Sequence, residues 1–400
     1  MINTIPEVIL KRGREHSILK RHPWIFSGGI AEIRAEEPLV SGETVVVKDS
    51  SGVSLAVGAF SPESQITVRI WDFNPETVIG KDFFAARIAS ALSIRKKILP
   101  EENSFRLINA ESDFLPGIIA DKYENFIVCE FLSAGAEFWK KTIAELLMEL
   151  TGVSGIYERS ESAARTKEGL PSSAGLLAGE EPPALINIKE NGLAFAVNVR
   201  SGHKTGFYLD QRENRRILGS LGNKLGKVLN CFSYTGAFSV YALASGAEQV
   251  FNIESSEDAL NTAVENLKLN NIAPEEMINI KGDVFTELRK LRDRGEFFDT
   301  VILDPPKLAE SKSQVDKAAR AYKDINLLAF KLLNPGGSLF TFSCSGNIPE
   351  ELFVKIVASA ASDAGKSARI VQRLFQGPDH PVPVTFPEGL YLKGFHCAVC

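Results

Sequence analysis

The chain has 400 residues, of which 44% are hydrophobic and 24% charged, with a formal net charge of −5. That is the make-up of a folded globular protein too long for one hydrophobic core, and the negative balance argues against coating nucleic acid through overall charge. No window holds the roughly 18 unbroken apolar residues of a membrane helix.

At the N-terminus, MINTIPEVILKRGRE places its charges after a short apolar stretch and lacks a small-residue cleavage site, so a cytoplasmic location is expected. The five cysteines are few and scattered, which suits a reducing compartment. Lys11, Arg12, Arg14, His16, Lys20, Arg21 and His22 then crowd together with only Glu15 opposing them. Such a run is a local basic face, and composition alone reads it equally well as a solvated surface.

From Gly42 to Trp71, the segments ETVVVKD, VSLAVGAF and QITVRIW alternate apolar and polar positions between Gly, Ser and Asp turns. This spacing indicates a small β domain or barrel. Pro75 opens a different texture. Phe83 to Leu99 has helical periodicity, NFIVCEFL reads as a strand, and EFWKKTIAELLMEL reads as an amphipathic helix. EGLPSSAGLLAGEEPP reads as an extended loop or linker, so the middle section is a mixed α/β unit.

From about Ile186 onward, the strand-like runs KVLNCFSY, QVFNIES, INIKGD, FDTVILDPP and GSLFTFSCS alternate with helices starting near Ala237, Ser256, Val284 and Asp316. Caps come from the Ser255–Asp258 stretch, and Ala259, Ala263, Val264 and Leu267 form the inner face of the helix it starts. Alternation of this kind predicts a doubly wound, mostly parallel sheet with helices on both faces.

Ligands of such sheets sit beyond the carboxyl ends of the strands. The first strand runs out through Asn230, Cys231, Phe232, Ser233, Tyr234, Thr235 and Gly236, where glycine permits close approach and a helix N-terminus offers unpaired N–H groups. The second ends at Glu254, positioned for ribose hydroxyls, and the third at Asp283 and Val284, positioned for an adenine. Both NAD and S-adenosylmethionine fit that pattern. The turn lacks G-x-G-x-x-G, whose second glycine makes room for a pyrophosphate, so S-adenosylmethionine is the expected cofactor.

Two further strand ends carry reactive groups. Asp304 follows FDTVIL, and Cys344 lies in GSLFTFSCSG; if these strands are neighbours, a carboxylate meets a thiol. Cytosine C5 becomes nucleophilic only after a thiolate adds to C6, which gives Cys344 the role of nucleophile. Asp304 can hold the N3 and amino edge of the base, and Lys307 a phosphate. Cys231 is the rival thiol, read here as packing under the cofactor turn. Cys397 and Cys400 form a C-x-x-C pair with no second pair or histidine cluster, so no metal is expected.

With these residues assembled, the chain resembles the RlmI-type family of bacterial 23S ribosomal RNA cytosine-C5 methyltransferases. The likeness runs from PWIFSGGI to the C-terminus and is carried by SPESQITVRIW, ESDFLPGI, LSAGAEF, GHKTGFYLDQR, LNCFSYTGAF, LDPPKLAESKSQ, YKDINLLA, FTFSCSG and FPEGLYLKGF. It implies a PUA RNA-binding domain over 1–74, a central α/β domain over 75–185 and a Rossmann-like class I methyltransferase domain over 186–400.

The resemblance also implies roles: the LNCFSYTG loop for the methionine side of the cofactor, Glu254 for ribose, Asp283 for adenine, Asp304 as the motif IV acid and Cys344 as nucleophile. Gln211 and Arg212 lie in a segment that closes over the cofactor, and Lys11, Arg12, Arg14, Lys20 and Arg21 gain RNA phosphates as partners. The implied substrate is 23S ribosomal RNA, as naked RNA or an assembly intermediate. One departure stands out: Pro306 and Lys307 follow Asp304 and Pro305, so the second cysteine common in motif IV is absent. Competing expectations are methylation of another ribosomal RNA base such as guanine N7, a non-catalytic RNA-binding assembly factor, and a dehydrogenase.

Overall fold

In the computed structural model, residues 5–400 are described. The chain divides into two compact units: Met1–Ile188 with Val197–Leu209 and Pro378–Gly389, and Lys189–Ala196 with Asp210–Gly377 and Leu390–Cys400.

The first unit contains two sheets. One has six strands, in the spatial order Trp24–Phe26, Ile66–Asp72, Ser54–Phe60, Thr44–Lys48, Glu7–Leu10 and Ile30–Arg34. Alternation turns Val45 and Val47 inward to meet Val8, Leu10, Ile25 and Val68. The other has five strands in chain order, Ser104–Asn109, Ile118–Tyr123, Phe126–Phe131, Gly155–Ser160 and Ser173–Gly179. Helices Lys81–Ile98 and Lys140–Thr151 supply Phe84, Ile88, Ile143 and Leu147 to its core.

Trp71 and Ala59 of the six-stranded sheet belong to this second core. Arg69 adds an ion pair to the nearly buried Glu168 at 2.8 Å. Shared core and buried charge pair together make one unit of the two sheets.

The segment read as a linker, EGLPSSAGLLAGEEPP, is corrected here. Its residues Ser173–Gly179 form an edge strand antiparallel to Gly155–Ser160. An edge strand needs only one set of backbone partners and little side-chain burial, so its small residues gave no strand-like pattern.

Two later stretches are tied to the first unit by buried polar contacts. Arg95 pairs with both carboxylate oxygens of Asp113 and donates to the Asp379 carbonyl at 2.9 Å. Asp379 accepts from the Arg106 backbone N–H at 3.0 Å, and Arg106 in turn forks onto Asp121. Thr205 donates to Asp121 and meets the Tyr123 hydroxyl at 2.9 Å. The segment expected as one domain over 186–400 therefore lends 197–209 and 378–389 to the first unit.

The second unit is built on seven strands. In chain order they are Lys227–Cys231, Gln249–Glu254, Met277–Lys281, Phe298–Leu303, Leu333–Ser343, Ala368–Phe375 and Lys393–Val399. Across the sheet they lie third, second, first, fourth, fifth, seventh, sixth. The first five are parallel, and the last two pair antiparallel at one edge.

Helices Ala237–Ala244, Glu257–Leu269, Val284–Asp293, Val315–Leu332 and Glu350–Asp363 alternate with the strands. Ser256, within the expected capping stretch, caps the second of these, accepting from the Ala259 N–H at 3.3 Å. Leu229, Val301, Leu303 and Leu339 pack with Ile325, Leu328 and Phe353 in one core. Burial on both faces explains the near-continuous apolar runs of these strands.

Replacing Asp379 by Ala strands the Arg106 N–H in a buried setting. The expected loss is roughly 1–3 kcal/mol of stability, read as a lowered urea midpoint for the first unit.

Candidate active site

The loop after the first strand of the large sheet is held in an unusual backbone conformation. Phe232, Tyr234 and Gly236 all have positive φ, at 59°, 48° and 72°. Left-handed non-glycine residues carry strain and persist only where surrounding bonds enforce them. Here the N–H groups of Phe232 and Ser233 both reach the Ile253 carbonyl, at 3.0 and 3.2 Å, and Asn266 donates to the Thr235 carbonyl at 2.8 Å. A side chain on Gly236 would put its Cβ 2.8 Å from that of Ala263.

Glu254 completes this arrangement. Its Oε2 accepts from the Tyr234 N–H at 3.0 Å, and its Oε1 from the N–H groups of Ser255 and Ser256 at 2.7 and 3.0 Å. One carboxylate thus joins the first loop to the second strand end. Asp283 caps helix Val284–Asp293 through Thr286, at 3.0 Å, while the preceding Gly282 N–H donates to the Glu254 carbonyl at 3.0 Å. Tyr234, Glu254 and Asp283 are therefore gathered at three adjacent strand ends.

Other sequence candidates are buried. Asn230 is buried within its strand, donating to Ser239 at 2.9 Å. Val284 belongs to the apolar core. Gln211 is buried and accepts from Asn214 at 2.6 Å, and Arg212 is buried near Glu190 at 3.5 Å.

The proposed reacting pair sits on neighbouring strands. Leu303 lies opposite Thr341 in parallel register, which places Asp304 and Cys344 just beyond adjacent strand ends. Ser345 stitches the two segments together: its Oγ accepts from the Ala309 N–H at 3.2 Å and meets the Tyr322 hydroxyl at 3.2 Å. Cys344 and Asp304 are half-buried. Cys231 is fully buried, and burial pushes its thiol pKa far up.

In the first unit, Lys11, Arg12, Arg14, Lys20 and Arg21 are all exposed. Lys11 donates to the Gly28 carbonyl at 3.0 Å, and the Arg21 guanidinium stands 5.8 Å from the Phe73 ring centre. Lys307, in the second unit, is exposed as well.

Comparison with known proteins agrees with this geometry. A family model described as S-adenosylmethionine-dependent methyltransferase matches residues 163–391, and one described as PUA-like domain matches 8–73. The protein named ribosomal RNA large subunit methyltransferase I from Photobacterium profundum is 50% identical over 98% of this chain and 99% of its own. The protein of the same name from Shewanella amazonensis is 50% identical over 96% of this chain and 97% of its own. The chain belongs to the ribosomal RNA large subunit methyltransferase I family.

Among solved structures, a protein from Streptococcus mutans designated a SAM-dependent methyltransferase covers 99% of this chain and 100% of its own, with a TM-score of 0.84 at 20% identity. A methyltransferase solved with SAH gives the same TM-score and coverage at 21% identity. These two likenesses concern the fold.

As a member of this methyltransferase family the chain depends on S-adenosylmethionine. The loop fits a polar ligand: Ser233 Oγ and Thr235 Oγ1 are buried without hydrogen-bond partners, in residues 7% exposed each. Buried hydroxyls in that state are costly and call for a partner. Sequence reasoning missed Lys393 and Tyr322, which border Cys344. A lysine inside the apolar run YLKGFHCAV was the available signal.

Thr235→Val removes one of these hydroxyls. Cofactor-free protein is expected to keep or gain thermal stability. S-adenosylmethionine affinity, measured by calorimetry, is expected to fall roughly five- to tenfold, the worth of one net hydrogen bond.

Proposed function

We propose that this methyltransferase modifies C5 of a cytosine in large-subunit ribosomal RNA, with Cys344 as the covalent nucleophile. The observation that carries this reading is the pairing of Leu303 with Thr341, which sets a carboxylate and a half-buried thiol beyond adjacent strand ends. The relatives' name supplies the RNA class. Cys231, the alternative thiol, is sealed from any substrate and held protonated by burial.

In this mechanism the Cys344 thiolate adds to C6, breaking the C5–C6 double bond and leaving C5 electron-rich. Asp304 hydrogen-bonds the N3 and amino edge and favours protonation at N3 as charge develops there. Glu254, Asp283 and the Phe232–Gly236 loop would hold S-adenosylmethionine, which when bound would supply an electrophilic methyl group to C5 and leave as the neutral thioether. Transfer of the C5 proton to solvent and departure of the Cys344 sulfur as thiolate then restore the aromatic ring.

A base can reach Cys344 only outside a helix stack, which favours naked RNA or an assembly intermediate as substrate. The exposed basic residues Lys11, Arg12, Arg14, Lys20 and Arg21 position the RNA through its phosphates, and Lys307 contacts a phosphate beside the target base.

Two experiments test this. Cys344→Ala should lower the methylation rate at least about a thousandfold, and RNA carrying 5-fluorocytidine should trap wild-type protein through Cys344. Unchanged methylation in the variant would assign the protein to a base that needs no thiol. Arg12→Glu with Arg14→Glu should raise KM for RNA, leave kcat nearly unchanged and flatten the salt dependence, by a slope of roughly one for each phosphate left without its cation.

A further inference from the structure

Lys393 is a buried ionisable group that the chemistry above leaves without a role. It begins the strand Lys393–Val399, lies opposite Ser343 and is 6% exposed. Its Nζ donates to the carbonyls of Ser345 at 2.8 Å and Ile348 at 2.7 Å, which bracket the turn just after Cys344. The ammonium is thus fixed against the backbone that immediately follows Cys344.

Packing alone does not require a lysine here, because an apolar side chain of similar length fills such a space without the cost of burying charge. Burial pulls the Lys393 pKa down to about 8, and the Cys344 sulfur and the Glu350 carboxylate oppose that fall.

Three other ionisable groups lie near this point. Tyr322, from helix Val315–Leu332, has its phenol pKa raised by burial, and its hydroxyl is shared with Ser343 and Ser345 at 3.0 and 3.2 Å. Glu350, on helix Glu350–Asp363, pairs with Arg373 at 3.2 Å. Asp304 stands at the end of the neighbouring strand. Lys393 is the cation bonded to the carbonyl of Ser345, the residue that follows Cys344.

We propose that Lys393 is a positioning residue for Cys344, whose ammonium braces the Ser345–Ile348 turn and favours the thiolate. The thiol proton leaves to solvent, and the sulfur anion stays opposite a fixed positive charge until it adds to C6. This rests on the reading of Cys344 as nucleophile and extends it.

The test is alkylation of Cys344 by iodoacetamide in RNA-free protein, followed by peptide mass spectrometry from neutral to alkaline pH. Lys393→Met should move the midpoint of the rate profile up by roughly one unit or more, and Lys393→Arg should restore most of the shift. Superimposable profiles for wild type and Lys393→Met overturn the proposal.

Coupling between two titrating groups is mutual, so a second measurement decides the matter even where Lys393→Met fails to fold. Cys344→Ser should lower the titration midpoint of the Lys393 side-chain nitrogen, followed by NMR; an unmoved midpoint overturns the proposal. The two readings fail separately. An idle Lys393 leaves fluorocytidine trapping intact, whereas a non-nucleophilic Cys344 abolishes trapping and leaves the alkylation shift in place.

Discussion

The parallel register that sets Leu303 against Thr341 is the constraint on which the proposed chemistry rests. Side chains along a strand alternate between faces, so a slip of one residue would turn each group toward the opposite helix layer. The register is held from both sides. Core residues Val301, Leu303 and Leu339 fix it along the strands, and the Ser345 contact to Ala309 fixes it beyond their ends. Asp304 and Cys344, the proposed reacting pair, are placed by the same apolar packing that stabilises the domain.

Next to this rigid edge lies a strained one. The Phe232–Gly236 loop keeps two non-glycine residues in the left-handed region, and the Glu254 carboxylate and Ile253 carbonyl hold it there. Its unpartnered hydroxyls add a further cost. Strain of this kind, set against bonds from a neighbouring strand, is the expected form of a pre-organised ligand loop. Stability is drawn from the sheet and used to hold a shape that the free peptide would not adopt.

Much of this was legible in the sequence because the signals are local. Apolar runs ending abruptly in polar residues marked the strand tips at Glu254, Asp304 and Cys344, and helix starts near Ala237 and Val284 followed from the turn residues before them. Orientation within a strand was not legible. Asn230 and Cys231 both end a strand covered on two faces, where alternation gives no cue to direction, and Asn230 donates to Ser239 of the helix that follows the loop. Lys393 was hidden for a different reason. Its meaning comes from pairing with Ser343, fifty positions earlier, and no local pattern encodes such a contact. The edge strand Ser173–Gly179 escaped because its backbone, not its side chains, makes the bonds.

The discontinuity of the first unit bears on how the molecule is made. Its buried Arg95 and Arg106 find partners in Asp379, close to the distal end of the chain. During synthesis the N-terminal sheets must wait, with those guanidinium and amide groups incompletely satisfied, until Asp379 has emerged. Completion of the first unit is thereby coupled to synthesis of the segment that carries the second.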